Sequence, residues 1–393
     1  MTLRTDAARL LPDLVRLRRR LHADPEVGFD LPRTQATVLA ELDALPLEVM
    51  TGRTLSSVTA VLRGAAPGPA VLLRADMDAL PIVEQTGLAF SASGGAMHAC
   101  GHDLHTAGLI GAARLLAARR ERIAGSVVLM FQPGEEAGGG APRMIAEGVL
   151  DAAGPRVCAA YGIHVLPGRS GVFSTRPGPL MAGANLLHVQ ITGRGGHGSR
   201  PHQAVDPVPV LAELVLALQT YTTRRVPVSD PVVISVTRLH AGDAVNVIPD
   251  NAGLSASVRT LSATAVKRLR LELPVLVREI AAAYGCRAET TFEVGYPVTV
   301  NDAVCAIAAR DVLRSEFGPE RVETLESPIM ASEDFSFVLD EVPGAFVFVG
   351  ATPTGMRPED AEMNHSPRAV FDDAILGDQA AALAALALRH VTG

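Results

Sequence analysis

The sequence predicts an α/β fold: a mixed, mostly parallel sheet with helices on both faces, interrupted by an inserted ferredoxin-like α+β domain. Three observations carry that expectation. Apolar runs of strand length alternate with amphipathic helical stretches through the first 180 residues, the pattern of βα units around a parallel sheet. Near Arg176-Pro177-Gly178-Pro179 the order changes to β-α-β-β-α-β, the ferredoxin-like succession of elements. Chemically related residues then stand on both sides of that block, at His98–His105 and at His365, so the chain must return to its first domain. The expected boundaries are 1–180 with 296–393 for the larger domain and 181–295 for the insert. A chain of 393 residues is too long for one small core and suits such a division.

Taken in order, Leu10, Leu11, Leu14, Leu17 and Leu21 recur at near-helical spacing and give a helix over 6–23. A second helix covers 33–44. Ala70-Val71-Leu72-Leu73-Arg74-Ala75 is a buried strand that breaks at Asp76-Met77-Asp78, and an Ala- and Leu-rich helix spans 104–119. Strands at 126–132 and 157–165 follow, the first running into Pro133-Gly134-Glu135-Glu136 and the second ending at His164. In the insert, residues 183–193 alternate as a strand and lead into a glycine-rich turn at 193–202. A helix at 207–223, strands at 231–239 and 252–260, a helix at 263–284 and a strand at 287–294 complete it. From Tyr296 helix and strand alternate again, and an Ala/Leu helix occupies 374–390.

Hydrophobic residues make up 48% and charged residues 20%, ordinary for a globular protein. A formal net charge of -7, with no basic run longer than Arg18-Arg19-Arg20, argues against nucleic-acid binding. Four cysteines in this length are no disulfide framework. Cys158, Cys286 and Cys305 lie in apolar stretches, whereas histidines flank Cys100. Residues 1–30 carry acids where a signal peptide needs an apolar stretch. No uninterrupted apolar run of about 18 residues offers a membrane span. A cytoplasmic protein with no membrane contact is the expectation.

The chemistry concentrates in His98-Ala99-Cys100-Gly101-His102-Asp103-Leu104-His105, Glu135-Glu136, His164 and His365. Thiol, imidazole and carboxylate are the donors a borderline-soft divalent ion prefers. They fall at strand C-termini or in the loops that follow, where open α/β sheets place their sites. Any one alone would more often be a packed or surface residue; their joint occurrence points to a metal. With Glu136 on the metal, Glu135 remains to move protons, the division of labour of metal-assisted hydrolysis. Residues 193–202 read either as a glycine-rich hairpin with a chance histidine or as a site where His197 donates to a developing oxyanion. Asn246 and Arg259 are either surface polar residues or the amide and guanidinium fork that recognise a free carboxylate.

At these residues the sequence resembles the M20 family of metallopeptidases and amidohydrolases, specifically its subfamily D. That branch includes hippurate hydrolases, N-acyl-amino-acid amidohydrolases, N-acetyl-diaminopimelate deacetylases and auxin-conjugate hydrolases. The marks are RADMDALP (74–81), MHACGHDLHTA (97–107), FQPGEEAGGGA (131–141), GRGGHGSRPH (193–202), NVIPD (246–250), SEDFS (332–336) and NHSP (364–367). The resemblance implies that Cys100, His102, Glu136, His164 and His365 hold two divalent ions per subunit (Mn2+, Zn2+, Co2+ or Ni2+), with Cys100 as a bridge. It implies that Glu135 is general base and then proton donor. It further implies a homodimer or tetramer in which His197 reaches the partner's site, with Asn246 and Arg259 on the substrate's α-carboxylate. Asp76 stands where many relatives outside this branch carry a histidine ligand. Asp76 and Asp78, like Asp103 and His105, are therefore expected in supporting positions behind the ligands. A further departure is Ala256-Ser257-Val258, which precede Arg259 where the branch commonly has Gly-Thr.

The implied activity is hydrolysis of an N-acyl-amino acid, such as hippurate or an N-acetyl-amino acid, to a carboxylate and a free amino acid. Two rivals stand beside it. A dipeptidase or aminopeptidase of the same fold would require a free α-amino group. A non-catalytic metal-binding dimer is the other, and the retention of Glu135 beside a full ligand set speaks against it.

Overall fold

A computed structural model describes residues 2–392. The chain forms two compact units. The larger contains the residues up to Leu180, Val300–Ser327, and those from Asp334 onward; the smaller contains Met181–Thr299 and Pro328–Glu333. The return to the larger unit therefore falls at Val300 rather than at 296, and the short segment before Asp334 goes with the insert.

In the larger unit an eight-stranded sheet runs in the order Leu47–Thr51, Val58–Arg63, Ala124–Gln132, Ala66–Asp76, Ala159–Leu166, Gly344–Gly350, Phe173–Thr175, Val322–Thr324. The four strands beginning at Ala124, Ala66, Ala159 and Gly344 are parallel, and their near-continuous apolar sequences suit burial on both faces. Antiparallel pairs flank them on either side. The helices Leu3–Ala23, His102–Ala117 and Ile375–Val391 pack on one another. A Cβ on Gly111 would lie 2.7 Å from the Ala380 Cβ and 2.8 Å from Leu14 Cδ1, so glycine is what lets these helices approach. Four strands of this sheet were not read from the sequence, Val58–Arg63 among them. Leu47–Thr51 is an edge strand with almost every residue exposed, so it shows no alternation, and Phe173–Thr175 and Val322–Thr324 are three residues each. No helix among the described residues is long and apolar enough to cross a membrane.

The smaller unit has the expected β-α-β-β-α-β order. Its antiparallel sheet runs Val232–Ala241, Asn251–Thr260, Gly183–Thr192, Arg287–Val294. Helices Pro207–Arg224 and Ala263–Ala283 supply Val210, Leu214, Leu218, Leu269, Leu273 and Val277 to a core against Leu187, Val189, Ile191, Leu254 and Val258. Beyond the end of the central ribbon, Gly196–His197 pairs with Val247–Ile248 in a short separate ladder.

Candidate metal centre

The centre is built at the carboxyl ends of the parallel strands of the larger unit. The strand Ala66–Asp76 ends at Asp76, and Asp78 follows two residues later. The carboxylate of Asp78 accepts the backbone N–H of Glu135 at 3.0 Å on one oxygen and that of Glu136 at 3.0 Å on the other. These two hydrogen bonds pin the turn after Gln132, so the two glutamates present their side chains from one fixed backbone. Gly134, at φ 75°, makes the turn, since a side chain there would be strained and would meet the Phe29 ring.

Around that turn the structure brings together the five residues expected as ligands. Donor atoms of Cys100, Glu136 and His365 lie within 4.8 Å of one another, as do those of His102, Glu135 and Glu136. His164 Nε2 is 3.4 Å from Cys100 Sγ, while its Nδ1–H donates to Val165 O at 2.7 Å. The tautomer so fixed leaves the Nε2 lone pair on the thiol side.

The supporting positions are equally well defined. His105 donates from Nδ1 to Asp76 at 2.5 Å and accepts from the Val165 N–H on Nε2 at 2.9 Å, so neither nitrogen is left for a metal. Arg74 takes the other Asp76 oxygen at 2.6 Å. Burial opposes ionisation of Asp76, but Arg74 first, then His102 and His105, hold its carboxyl well below the usual range.

Whether a cation fits is answered by the donors themselves. His102 is buried with both ring nitrogens lacking a hydrogen-bond partner. Asp76 and Asp78 oxygens stand 3.6 Å from it on either side. Glu136 Oε1 sits 2.9 Å from His365 Nε2 yet is buried and without hydrogen-bond alignment. Unmet buried polar atoms call for a missing partner, and a cation here would satisfy Glu136 and one nitrogen of His102, the other nitrogen keeping an aspartate beside it. The acidic company shows in the protonation of the imidazoles. Burial disfavours charge on His102, but Asp76 and then Asp78 and Cys100 outweigh it. Cys100 and Glu136 raise His365 to about 10. A metal would replace those protons, because imidazole ligates only when neutral and thiol only when deprotonated.

Asp103 lies outside this ring. Fully buried, it accepts from Arg18 Nε and from His22 Nδ1, each at 2.7 Å, and His22 Nε2 faces Glu84 at 3.1 Å. Both nitrogens of His22 therefore meet carboxylates, which requires the imidazolium. Burial lowers its pKa, but Asp103 outweighs that and leaves it above 6.5. Stability from this proton is complete below pH 6.5 and is lost as pH rises through the raised folded value. Asp103 itself is depressed below 3.8, burial being overcome by Arg18 and His22. Its contribution holds above that pH and fades as pH falls towards the depressed value. We expect Asp103→Asn to cost about 1.5–3 kcal/mol at neutral pH in urea unfolding, because Arg18 and His22 lose the buried carboxylate they share and Arg18 keeps only Asp373; a loss under 0.5 kcal/mol (about a third of the least expected for a charged hydrogen bond) would contradict this role.

Three functional residues escaped the sequence reading. Asp334 accepts from Arg74 at 2.9 Å, from Gln132 at 2.7 Å and from the Ala141 N–H at 2.9 Å. Its own N–H donates to Glu135 Oε1 at 3.4 Å. Arg74, Gln132 and Asp334 thus form a buried network that holds the Glu135 carboxylate. Each lies in a stretch already singled out, Arg74 in RADMDALP, Gln132 in FQPGEEAGGGA and Asp334 in SEDFS, but nothing in those stretches showed that the three share a space.

The remaining expected residues lie in the smaller unit. His197 Nδ1 accepts the Ser199 N–H at 3.1 Å, so its ring proton sits on Nε2 and is available to donate. Asn246 is beside it: Gly198 N–H donates to Asn246 O at 2.8 Å and Val247 pairs with His197. Val245 and Val247, flanking Asn246, are exposed. Arg259 does not join them. It stands eight residues beyond Asn251 on the same strand, about 26 Å away, and the His197 ladder extends the ribbon in the opposite direction. Half-buried, Arg259 donates to Ser332 Oγ at 2.8 Å.

Fold and donor set together define a hydrolase of the metallopeptidase kind, with its site at the ends of parallel strands. The comparisons with known proteins agree. The model of peptidase family M20/M25/M40 matches residues 72–389, and the chain belongs to that family. It is 36% identical over 393 residues to thermostable carboxypeptidase 1 of Saccharolobus solfataricus, covering 98% of each chain. It is 35% identical over 366 residues to an N-acetylcysteine deacetylase of Bacillus subtilis, covering 92% of this chain and 93% of that one. Among solved structures, the Bacillus subtilis YXEP protein, described as a dinuclear metal-binding peptidase of the M20 family, superposes with a TM-score of 0.84. It is 32% identical, and the match covers 98% of this chain and 99% of the other. The protein is a hydrolase acting on amide bonds.

Proposed function

We propose that this protein hydrolyses the amide of N-acyl-amino acids, using two divalent ions per subunit and working as a homodimer. The observation that carries the reading is the pinned Glu135-Glu136 turn: one carboxylate stands among Cys100, His102 and His365, and the other is held by the Asp334 amide. Cys100, His102, Glu136, His164 and His365 would hold the ions. When bound, such ions lower the pKa of a water and polarise the substrate carbonyl. Glu135 takes the proton of the attacking water and returns it to the departing nitrogen. His197 donates from Nε2 to the oxyanion, and Arg259 pairs with the substrate's free carboxylate.

The distance between His197 and Arg259 supports the dimer. One chain cannot bring both ends of a 26 Å separation (about eight strand residues) to one small molecule, whereas two chains can. The exposed Val245 and Val247 beside Asn246 would be covered by the partner. A thiolate among imidazoles suits Zn2+, and Mn2+, Co2+ or Ni2+ are the alternatives. A free thiol at the centre suits a reducing cytoplasm. The relatives' names, a carboxypeptidase and a deacetylase of N-acetylcysteine, share an amide beside a free carboxylate.

The test is a substrate panel with metal added. N-acetyl- and N-benzoyl-amino acids should be cleaved, and unblocked dipeptides should be poor substrates; preference for a free α-amino group would overturn the reading in favour of a dipeptidase. Arg259→Ala should lower kcat/KM by roughly 10–100-fold on free-carboxylate substrates, the worth of a charged hydrogen bond. It should leave the corresponding methyl esters almost unaffected. Equal losses on acid and ester would remove Arg259 from the carboxylate.

A further inference from the structure

We infer that Asn364 is a positioning residue of the metal centre, a clamp that holds the Cys100 thiol and the His164 imidazole in register. This rests on the reading that Cys100 and His164 ligate a divalent ion. Asn364 Nδ2 lies 3.3 Å from Cys100 O, 3.2 Å from Val165 O and 3.7 Å from Cys100 Sγ. The two carbonyls can only accept, so the amide must present its NH2 to this side, which fixes its orientation without any view of hydrogens. Val165 O is also the carbonyl that receives His164 Nδ1–H. One amide thus ties the main chain beside His164 to that of Cys100, and the longer contact to Cys100 Sγ shares a hydrogen with the neighbouring carbonyl.

The backbone around it agrees. His365 N–H donates to Ala99 O at 3.0 Å, so Asn364-His365 docks along Ala99-Cys100. His365 is the only non-glycine among the described residues at positive φ, 71°. Such a conformation persists only where surroundings over-determine it, and here the surroundings are this docking. A further observation shows which end of the amide is used. Asn364 Oδ1 is buried and has no hydrogen-bond partner. An amide with one end unmet costs stability, and an apolar side chain of similar volume would relieve that cost. The contacts that hold the amide here are therefore those of its NH2 end, which serve folding through Cys100 O and Val165 O and also place the sulfur. An N–H donor to sulfur withdraws charge from a thiolate, and such outer contacts orient ligands and tune the bound metal.

The experiment uses full-length protein carrying Asn364→Leu, and Asn364→Ala in parallel. The alanine variant removes the donor without adding bulk and carries the test should the leucine variant misfold. Three quantities are read: Co2+ affinity by competition with a chromophoric chelator, the thiolate-to-Co2+ charge-transfer band, and thermal stability after chelation. We expect a 10–100-fold weaker Co2+ affinity and a band moved to lower energy. Melting of the metal-free protein should fall by less than the lost Co2+ affinity requires, since only the two carbonyl bonds are removed there. Unmoved affinity and band would overturn the clamp, as would a fall in metal-free melting that accounts for the lost affinity. Wild-type protein lacking any charge-transfer band would instead remove Cys100 from the ligand set, overturning the reading beneath. Cys100→Ser provides the band-free control.

Discussion

Glu135→Gln is expected to abolish turnover while leaving the metal in place. The substitution keeps the size of the side chain and its ability to accept from the Asp334 N–H, and it leaves Asp78 on the backbone amides. What it removes is the basic lone pair. General acid–base groups contribute roughly 10²–10⁴-fold each, and in the proposed mechanism Glu135 would serve twice, in taking the proton and in returning it. We therefore expect kcat to fall by about 10³-fold or more, with metal content by elemental analysis unchanged and KM little altered. A variant that kept a tenth of its activity would show that another group is the base. One that lost its metal would show Glu135 to be a ligand.

The second large effect concerns His197. His197→Ala removes the Nε2–H donor, and loss of one oxyanion donor costs about 10²–10³-fold in kcat. The informative experiment is mixing. If His197 serves the partner's site, a heterodimer of His197→Ala with Glu135→Gln contains one intact site, and a re-equilibrated equimolar mixture should recover about a quarter of wild-type activity. This follows because half of the molecules are mixed and each has one good site of two, given subunit exchange and shared interfaces. Activity no greater than that of the separate variants would place His197 and Glu135 in the same subunit's site. The exposed valines beside Asn246 give a second handle: Val245→Asp should weaken association without altering the melting of an isolated subunit.

Much of this candidate centre was legible in the sequence, because residues proposed to hold a metal stand out by donor chemistry. Cys100-Gly101-His102, Glu135-Glu136, His164 and His365 declared themselves by residue type at strand ends, and the structure gathers them. What lay hidden was whatever depends on which buried groups share a space. Arg74, Gln132 and Asp334 are ordinary polar residues in sequence; only the parallel pairing of two strands and a contact across 260 positions make them the support of Glu135. Asn364 was overshadowed by its neighbour His365. Arg259 and His197 looked like companions because both belong to the insert, and only strand register shows them at opposite ends of one ribbon. The edge strand Leu47–Thr51 was missed because an exposed edge has no buried face to impose a period.

The most direct test is to locate the ions. Crystals loaded with Mn2+ and measured for anomalous scattering should show two peaks per chain, lying among Cys100 Sγ, His102, Glu136, His164 Nε2 and His365 Nε2, with Glu135 close by but uncoordinated. A single peak elsewhere, or peaks that leave those five side chains without a cation, would contradict the account at its root.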